Sequence, residues 1–164
     1  MKIKPLHAAA DSAAVTDFFT LAADYVLLES GQSPSTEQTH AFFTEAPPGI
    51  DAATSQHFGL YLVGHQLAAI ATVAYGFPNP DDAYIGLLLL DPDHRGKRLG
   101  QQMLDHLFSA AKTRGATRVL IAVLQENTKG HRFWSKMGFV EEMRSQPRQI
   151  GVKTHVQIRM ARAL

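Results

Sequence analysis

The sequence contains no cysteine, few charged residues and no long apolar run. Without cysteine, a disulfide framework and a thiol nucleophile are excluded, and a reducing, cytoplasmic location is expected. Charged residues make up 19% of the 164 residues and the formal net charge is +1, so no overall field favours nucleic acid or an anionic membrane. No apolar run approaches membrane-spanning length. The length predicts a single domain over residues 1–164 with a sizeable core.

The most informative stretch is an apolar run, a basic turn and a helical pattern over residues 86–107. The run Gly86–Leu90 is short and soon meets Pro92, which predicts a strand buried in the middle of a sheet. Apolar residues at helical spacing then predict a helix that begins within the turn. These residues are Leu99, Met103, Leu104, Leu107 and Ala111.

The turn Arg95–Gly100 combines positive charge with residues that lack a Cβ atom. A helix N-terminus presents unpaired N–H groups and the positive end of the helix dipole, and Arg95, Lys97 and Arg98 precede it here. Gly96 and Gly100 allow a close approach of the backbone to an anion. The turn therefore suits phosphate groups. From these residues alone, an ordinary strand-to-helix turn with a solvated basic face is equally open.

The same turn resembles the acyl-CoA pyrophosphate motif of the GNAT superfamily of N-acetyltransferases. That motif is an Arg or Gln, two residues, Gly, one residue, and Gly or Ala. Arg98 stands where the motif has its first glycine. The resemblance implies that acetyl-CoA is the co-substrate, and no metal is expected. It also implies cofactor contacts from the strand and turn, namely Leu88, Leu89, Leu90, Arg95, Gly96, Lys97, Arg98, Leu99 and Gly100.

A second motif covers residues 127–139. Its pattern predicts a short helix that is capped by Asn127, packs Phe133 inward and is stopped by Gly138. The segment is also similar to the GNAT segment in which an Asn precedes a small residue, an aromatic pair and Gly-Phe. The resemblance implies that Asn127 binds the pantetheine arm or the incoming amine, and that Gly130 and Phe133 lie beside the cofactor.

Trp134 departs from this second motif. Family members usually have a tyrosine there, whose hydroxyl protonates the departing CoA thiolate. An indole N–H can donate a hydrogen bond but cannot supply a proton. We therefore expect Trp134 to pack against the cofactor. Because a thiol pKa near ~8.5 makes thiolate a tolerable leaving group, a bound water could supply the proton.

The sequence does not identify one residue as the general base. Members of the family often place a Glu on the strand that Ile85–Leu88 occupies here, yet no carboxylate is present there. The catalytic candidates at the strand entrance are Tyr84 and Asp82, although Asp82 also suits a turn and Tyr84 a cross-strand contact. Weaker candidates are Asp81, Tyr75 and His131.

The resemblance also implies where the acceptor binds. The two N-terminal helices, the loop 46–49 and the connection 76–82 would line its pocket. Candidate groups there are Tyr25, Glu29, Gln32, Phe42, Phe43 and His57. Glu29 could attract a cationic amine, although an exposed carboxylate at a helix end is the commoner case. The near-neutral chain predicts a small amine or an amino-terminal group as acceptor.

The hydrophobic patterns predict an α/β fold in the order β-α-α-β-β-β-α-β-α-β-β. This is also the order of the GNAT fold, a mixed, mostly antiparallel sheet flanked by helices. The apolar C-terminal strands could pair within the domain or across a homodimer. The predicted elements are a strand over 1–6, a helix from an Asp11 cap to about 26, a helix over 35–44, strands over 57–63, 67–75 and 86–90, a helix from 99, a strand over 118–124, a helix over 128–136, and strands over 139–145 and 154–160.

Three functions compete. We favour an acetyl-CoA-dependent N-acetyltransferase in which a small amine attacks directly in a ternary complex, with no nucleic acid or membrane partner. The alternative is a catalytically weak or inactive GNAT-fold module that binds acyl-CoA, which Trp134, Arg98 and the missing Glu motivate. A nucleotide-phosphate enzyme ranks last, because the sequence lacks both a Gly-Lys-Ser/Thr loop and a Gly-x-Gly-x-x-Gly fingerprint.

Overall fold

The computed structural model describes all of residues 1–164. Seven strands form one sheet in the order β1-β2-β3-β4-β5-β9-β6, and β7 and β8 form a separate hairpin. All paired strands are antiparallel except β4 and β5. The elements are β1 (Lys2–Pro5), α1 (Ala8–Leu21), α2 (Ala23–Ser30), α3 (Thr36–Thr44), β2 (Gln56–Tyr61), β3 (Leu67–Tyr75), β4 (Asp82–Leu90), α4 (Leu99–Thr113), β5 (Arg118–Leu124), α5 (Thr128–Lys136), β6 (Val140–Arg144), β7 (Arg148–Ile150), β8 (Lys153–His155) and β9 (Gln157–Ala163).

Helices cover both faces of the sheet. On one face, which we call the α4 face, alternate residues of the central strands, such as Ala83 and Ile85 of β4, pack against α4. On the opposite face, the α2 face, Leu89 and Ile70 pack against the N-terminal helices. The buried stripe of α4 contains the five residues whose spacing predicted this helix, together with Gly100 and Phe108. Hydrophobic burial on both faces therefore fixes β3 and β4 in the centre.

Strand β4 carries an irregularity that opens the sheet. Its register with β3 shifts so that Thr72 faces Leu87 while Val73 faces Ile85, which leaves Gly86 as an extra residue. The parallel pairing with β5 covers only four residue pairs and ends where Ile85 meets Ile121. Beyond that point β4 continues to Leu90 and β5 continues to Leu124 without pairing with each other. The two strands therefore diverge, and we call the space between them the split.

The structure confirms the predicted fold class. It also corrects the first helix, which begins at Ala8 and divides into α1 and α2 at Ala22. Asp11 is not the N-cap, because it lies in the first turn, where its Oδ2 accepts a hydrogen bond of 2.7 Å from the backbone N–H of His7. None of the five helices is both long and apolar enough to cross a membrane.

The C-terminal region differs most from the prediction. Two strands were expected after α5, whereas four are present, because the hairpin β7–β8 is inserted between β6 and β9. Strand β9 pairs with both β5 and β6, so the apolar C-terminal strands pair within the chain. The turn of the hairpin docks on the end of α2, where the N–H of Val152 donates to the carbonyl of Ser30 at 2.9 Å.

Candidate active site

The basic turn forms an open cradle at the N-terminus of α4. Gly96 and Arg98 both have left-handed backbone conformations, with φ of 75° and 63°. Glycine adopts this conformation readily, whereas a residue with a Cβ atom does so at a cost, which accounts for the glycine that the GNAT motif has at the position of Arg98. No side chain caps the helix, and Lys97 and Arg98 are exposed without an acidic partner. The turn therefore offers free N–H groups and two unpaired cations.

The side chain of Arg95, which was predicted as a cofactor contact, binds Asp24 and the carbonyl of Leu90. Its guanidinium forms an ion pair with Asp24 of α2, with Nη2 and Oδ1 3.0 Å apart, and Nε and Nη2 each donate to the carbonyl of Leu90 at 3.2 Å. The hydrogen bond from Arg95 holds the pKa of Asp24 below its usual value. The charge of Arg95 is thus largely neutralised, and its side chain joins the end of β4 to α2.

On the α4 face, the split is bounded by contact between α4 and α5. A Cβ atom at Gly100 would lie 3.2 Å from the ring of Phe133 and 3.7 Å from the side chain of Leu90. The glycine therefore lets the N-terminal turn of α4 approach α5 across the split. Because it has no side chain, Gly100 allows close packing of the two helices as well as the approach of a phosphate.

Asn127 and Gly130 form one local unit at the end of β5. The side-chain Oδ1 of Asn127 accepts a hydrogen bond of 2.9 Å from the N–H of Gly130, which confirms the predicted helix cap. A Cβ atom at Gly130 would lie 2.5 Å from Nδ2 of Asn127, so this side-chain position requires the glycine. The NH₂ group of Asn127 has no partner in the protein and remains free to donate.

Trp134 lies mainly in the core on the α4 face. The residue is 8% exposed, and its ring packs edge-on against Phe133 and Phe139, with ring centroids 5.0 and 5.1 Å away. The indole N–H makes no hydrogen bond within the protein, yet it is not among the polar atoms that are buried without a partner. It therefore reaches the surface, where it can donate one hydrogen bond.

Tyr84 lies on the α2 face, one residue before β4 and β5 part. Its ring packs edge-on against Phe77, with the centroids 5.4 Å apart. Burial raises the pKa of the Tyr84 phenol, and the charges of Arg159 and Arg148 offset part of this rise. The phenol is therefore protonated at neutral pH, and its hydroxyl makes no hydrogen bond within the protein. It is free to donate a proton or a hydrogen bond to a bound molecule.

The carboxylate of Asp82, the other catalytic candidate, accepts several hydrogen bonds within the protein. Asp82 is 4% exposed, and its side chain accepts hydrogen bonds from Nε and Nη2 of Arg118 at 3.0 and 2.9 Å. The backbone N–H and the side chain of Asn79 donate to it at 3.2 and 2.9 Å. The hydrogen bonds from Arg118 hold its pKa below the usual value, which makes it a poor base. The pair joins the first residues of β4 and β5, at the end of the paired segment that lies away from the split.

Several of the predicted acceptor groups belong to the core instead. Phe42 is buried, and the His57 ring packs between Phe42 and Phe43 with centroid distances of 5.1 and 5.2 Å. Burial lowers the pKa of His57. Tyr75, one of the weaker catalytic candidates, donates to Gln56 at 2.5 Å and packs on the α4 face. Gln32 is exposed beyond the end of α2. Tyr25 and Glu29 are the remaining members, and both belong to α2.

Helix α2 is held across the wide end of the split by contacts at both of its ends. The resemblance implied that the N-terminal helices line the acceptor pocket, but these contacts were not predicted. At its N-terminal end Asp24 pairs with Arg95, beside the end of β4. At its C-terminal end the hairpin binds three consecutive carbonyls, those of Leu28, Glu29 and Ser30. The hairpin leads directly into β9, which pairs with the end of β5. These contacts join residues 71 and 126 positions apart, for which the sequence carries no local signal.

The site thus combines a divergent pair of parallel strands, a cationic helix N-terminus at their open end and a helix across that end. A family model for the Acetyltransferase (GNAT) family matches residues 22–139, which include all of these features except β9 and the hairpin. The chain belongs to the GNAT acetyltransferase family. Members of this family typically use acetyl-CoA, and no group of three or more His, Asp or Glu side chains is arranged to hold a metal ion.

Solved structures of acetyltransferases share this fold. An acetyltransferase from Thermus thermophilus is 23% identical, with a TM-score of 0.74 over 99% of this chain and 96% of that one. The ribosomal-protein-S18-alanine N-acetyltransferase from Escherichia coli is 20% identical, with a TM-score of 0.69 over 99% and 92%. A spermidine N-acetyltransferase chimera from Vibrio cholerae and hSSAT is 15% identical, with a TM-score of 0.71 over 99% and 96%. No curated protein matches the chain.

Proposed function

We propose that this chain is an acetyl-CoA-dependent N-acetyltransferase, in which the amine of a small molecule or an amino-terminal group attacks the thioester directly in a ternary complex. The observation that carries the proposal is the split between β4 and β5 with the uncapped N-terminus of α4 at its open end. We assign residues 1–164 to one catalytic domain, because both sides of the split come from the same chain.

The residues present fit acetyl-CoA. Free N–H groups of the turn Gly96–Gly100, with the cations of Lys97 and Arg98, suit the pyrophosphate. The edge of β4 over Leu88–Leu90 has no strand partner on the β5 side and can pair with the amide groups of the pantetheine arm. Arg95 holds the end of β4 to α2 through Leu90 and Asp24, and its contact with the cofactor stays a prediction.

On the other side of the split, Asn127 can donate through its free NH₂ group, while Gly130 and Phe133 shape the wall. Trp134 stabilises this wall by packing and can donate one hydrogen bond. Backbone N–H groups along β4 can polarise the thioester carbonyl. When bound, acetyl-CoA supplies the activated acetyl group.

An alkylammonium acceptor must lose two protons from its nitrogen, and the protein or water must accept them. An alkylammonium with a pKa near ~10.4 must lose one proton before its nitrogen can attack. We assign Tyr84 the role of a hydrogen-bond donor or proton relay at the split, because its hydroxyl is protonated and unpaired. We assign Asp82 no proton transfer, because Arg118 and Asn79 occupy its carboxylate.

Calorimetric titration with acetyl-CoA, CoA and ATP at one salt concentration tests the cofactor part of this proposal. We expect both CoA species to bind more tightly than ATP. Weakened CoA binding after substitution of both Lys97 and Arg98, with the fold retained, would support the phosphate assignment. If neither CoA species binds to the folded protein, the assignment of the split is wrong.

A steady-state assay across a panel of amines tests the transfer step. We expect acetyl transfer to at least one primary amine. Tight binding of acetyl-CoA without transfer to any amine would instead support an acyl-CoA-binding module, the function that the tryptophan at position 134 also motivates.

A further inference from the structure

The side chains of Tyr25 and Glu29 lie between α2 and the sheet, at the wide end of the split. The two residues are one helical turn apart and so share one side of the helix. Tyr25 packs against the core cluster of the α2 face, together with Leu87 of β4. This side of α2 therefore faces the sheet, and Glu29 faces it at the end of the helix nearer to the hairpin.

Glu29 is a partly buried carboxylate without a cationic partner. The hydroxyl of Tyr25 donates to its Oε2 at 2.9 Å, whereas its other oxygen accepts no hydrogen bond. No Lys, Arg or His side chain forms an ion pair with it. Burying a carboxylate in this way is costly unless a partner arrives.

The backbone around Glu29 is held by side chains of the hairpin. Nε2 of His155 donates to the carbonyl of Glu29 at 2.7 Å, and Nζ of Lys153 donates to the carbonyl of Leu28 at 3.2 Å. The same Nζ lies 3.5 Å from Oε2 of Glu126, just beyond β5. The hairpin thereby fixes the position of Glu29 relative to β5.

We propose that Glu29, oriented by Tyr25, is the carboxylate that binds the acceptor, and that the acceptor is a small primary alkylammonium. Because β4 carries no carboxylate at residues 85–90, a carboxylate from α2 takes the role of recognising and deprotonating the amine. The inference rests on the proposed acetyl transfer. The hairpin docks on the carbonyls of Leu28, Glu29 and Ser30 and so lies directly beside this carboxylate, which favours a small molecule over a polypeptide.

The proton balance of the step is simple. The ammonium gives one proton to the carboxylate of Glu29, which leaves a neutral amine and a carboxylic acid. The amine nitrogen forms a bond to the acetyl carbonyl carbon of acetyl-CoA while the carbon–sulfur bond breaks and the thiolate leaves. The nitrogen loses its second proton to water or to the thiolate. The net products are the acetamide, CoA and one proton from the original ammonium.

The surroundings of Glu29 suit this exchange. Burial raises the pKa of Glu29, as does the charge of Glu45 at the end of α3, whereas the hydrogen bond from Tyr25 and the charge of His155 lower it. A carboxylate with a raised pKa is a better proton acceptor near neutral pH. The binding of an ammonium by Glu29 should therefore weaken as the pH falls through this raised pKa.

Binding experiments test the proposal without requiring turnover. CoA-saturated protein is titrated with butylamine, whose ammonium is charged near neutral pH, and with aniline, whose amine is neutral. We expect Glu29→Gln to weaken butylamine binding about 10- to 100-fold, as the loss of a charge-assisted hydrogen bond implies, and to change aniline binding little. Glu29→Asp should restore part of the affinity, and Tyr25→Phe should weaken it less than Glu29→Gln. Glu37→Gln, which removes an exposed carboxylate from α3, is the matched control.

The outcomes separate this proposal from the transfer activity. If butylamine does not bind to the wild-type complex, or binds equally well to Glu29→Gln, the proposal is wrong. If CoA does not bind, the same titration of the free protein still decides the role of Glu29. If butylamine binding depends on Glu29 but no acetyl transfer occurs, the amine site stands and the proposed enzymatic activity fails.

Discussion

The ion pair between Asp82 and Arg118 joins β4 and β5 at the start of their paired segment, before the two strands diverge. Asp82→Asn removes the charge and at most one oxygen acceptor while leaving Arg118 half-buried. Removing one partner of a buried pair costs roughly 3–5 kcal/mol, and hydrogen bonds to charged groups contribute about 1.5–3 kcal/mol each. Because Arg118 is partly exposed and keeps its second partner Glu142, we expect a smaller loss than for a fully buried pair, about 2–3 kcal/mol. For a chain of this size that is a fall in Tm of about 4–12 °C.

The assay is thermal and urea unfolding followed by fluorescence of Trp134, the one tryptophan of the chain. Asp81→Asn is the matched control, because it makes the same charge change at a neighbouring exposed side chain. The pKa of Asp82 is lower in the folded state, so its contribution is present above the unfolded pKa of about 3.9 and is lost as the pH falls through the folded pKa. The stability difference between wild type and Asp82→Asn should therefore shrink only in acid.

Equal unfolding temperatures for Asp82→Asn and Asp81→Asn would refute this reasoning. So would a variant at Asp82 that keeps its stability and loses acetyl transfer, because that result would make the carboxylate catalytic. Activity per folded molecule close to that of the wild type is the result that a structural ion pair requires.

Further predictions concern the two walls of the split. Arg98→Gly should remove the strain of the left-handed conformation at this residue and raise the unfolding free energy by about 0.5–1 kcal/mol, measured in urea, whereas Arg98→Ala should bring no such gain. Both variants should weaken acetyl-CoA binding, most of all at low salt. Gly100→Ala should destabilise by pressing on the Phe133 ring, and Phe133→Leu should recover part of that loss in a double-mutant cycle, so additive effects would contradict the contact. Trp134→Tyr should lower the unfolding free energy by about 1–2 kcal/mol through lost packing. It should also raise kcat by supplying a proton donor. An unchanged kcat would show that this position does not reach the thiolate.

Local patterns predicted most of the fold. The bounds of β3, β5 and α5 agree with the residues expected from apolar spacing, turn residues and the Asn127 cap. Each of these elements lies next to a strong local signal, such as the Gly64-His65 hairpin, where both residues have positive φ. Where the signal was polar and short, as at β7 and β8, the hairpin was missed, because its three-residue strands are held mainly by docking on α2.

The candidate site was predicted less completely than the fold. The motif placed Lys97, Arg98 and Gly100 at the helix N-terminus correctly, but it could not show that the Arg95 side chain would turn to Asp24. Charge spacing likewise could not distinguish a catalytic Asp82 from one paired with Arg118, because the partner lies on the next strand of the sheet, after a whole helix. Local propensities record neither kind of contact, since both depend on how distant segments pack.

Over residues 86–90 the backbone of β4 is hydrogen-bonded to a strand on one side only, because β5 has turned away. Amide protons on that free edge are protected from exchange with solvent only by what occupies the split, so hydrogen exchange in this segment should slow when CoA binds. The cofactor site is thus also a weakly paired part of the sheet. A substitution that strengthened the sheet by drawing β5 against β4 would stabilise the protein and remove the site in the same step.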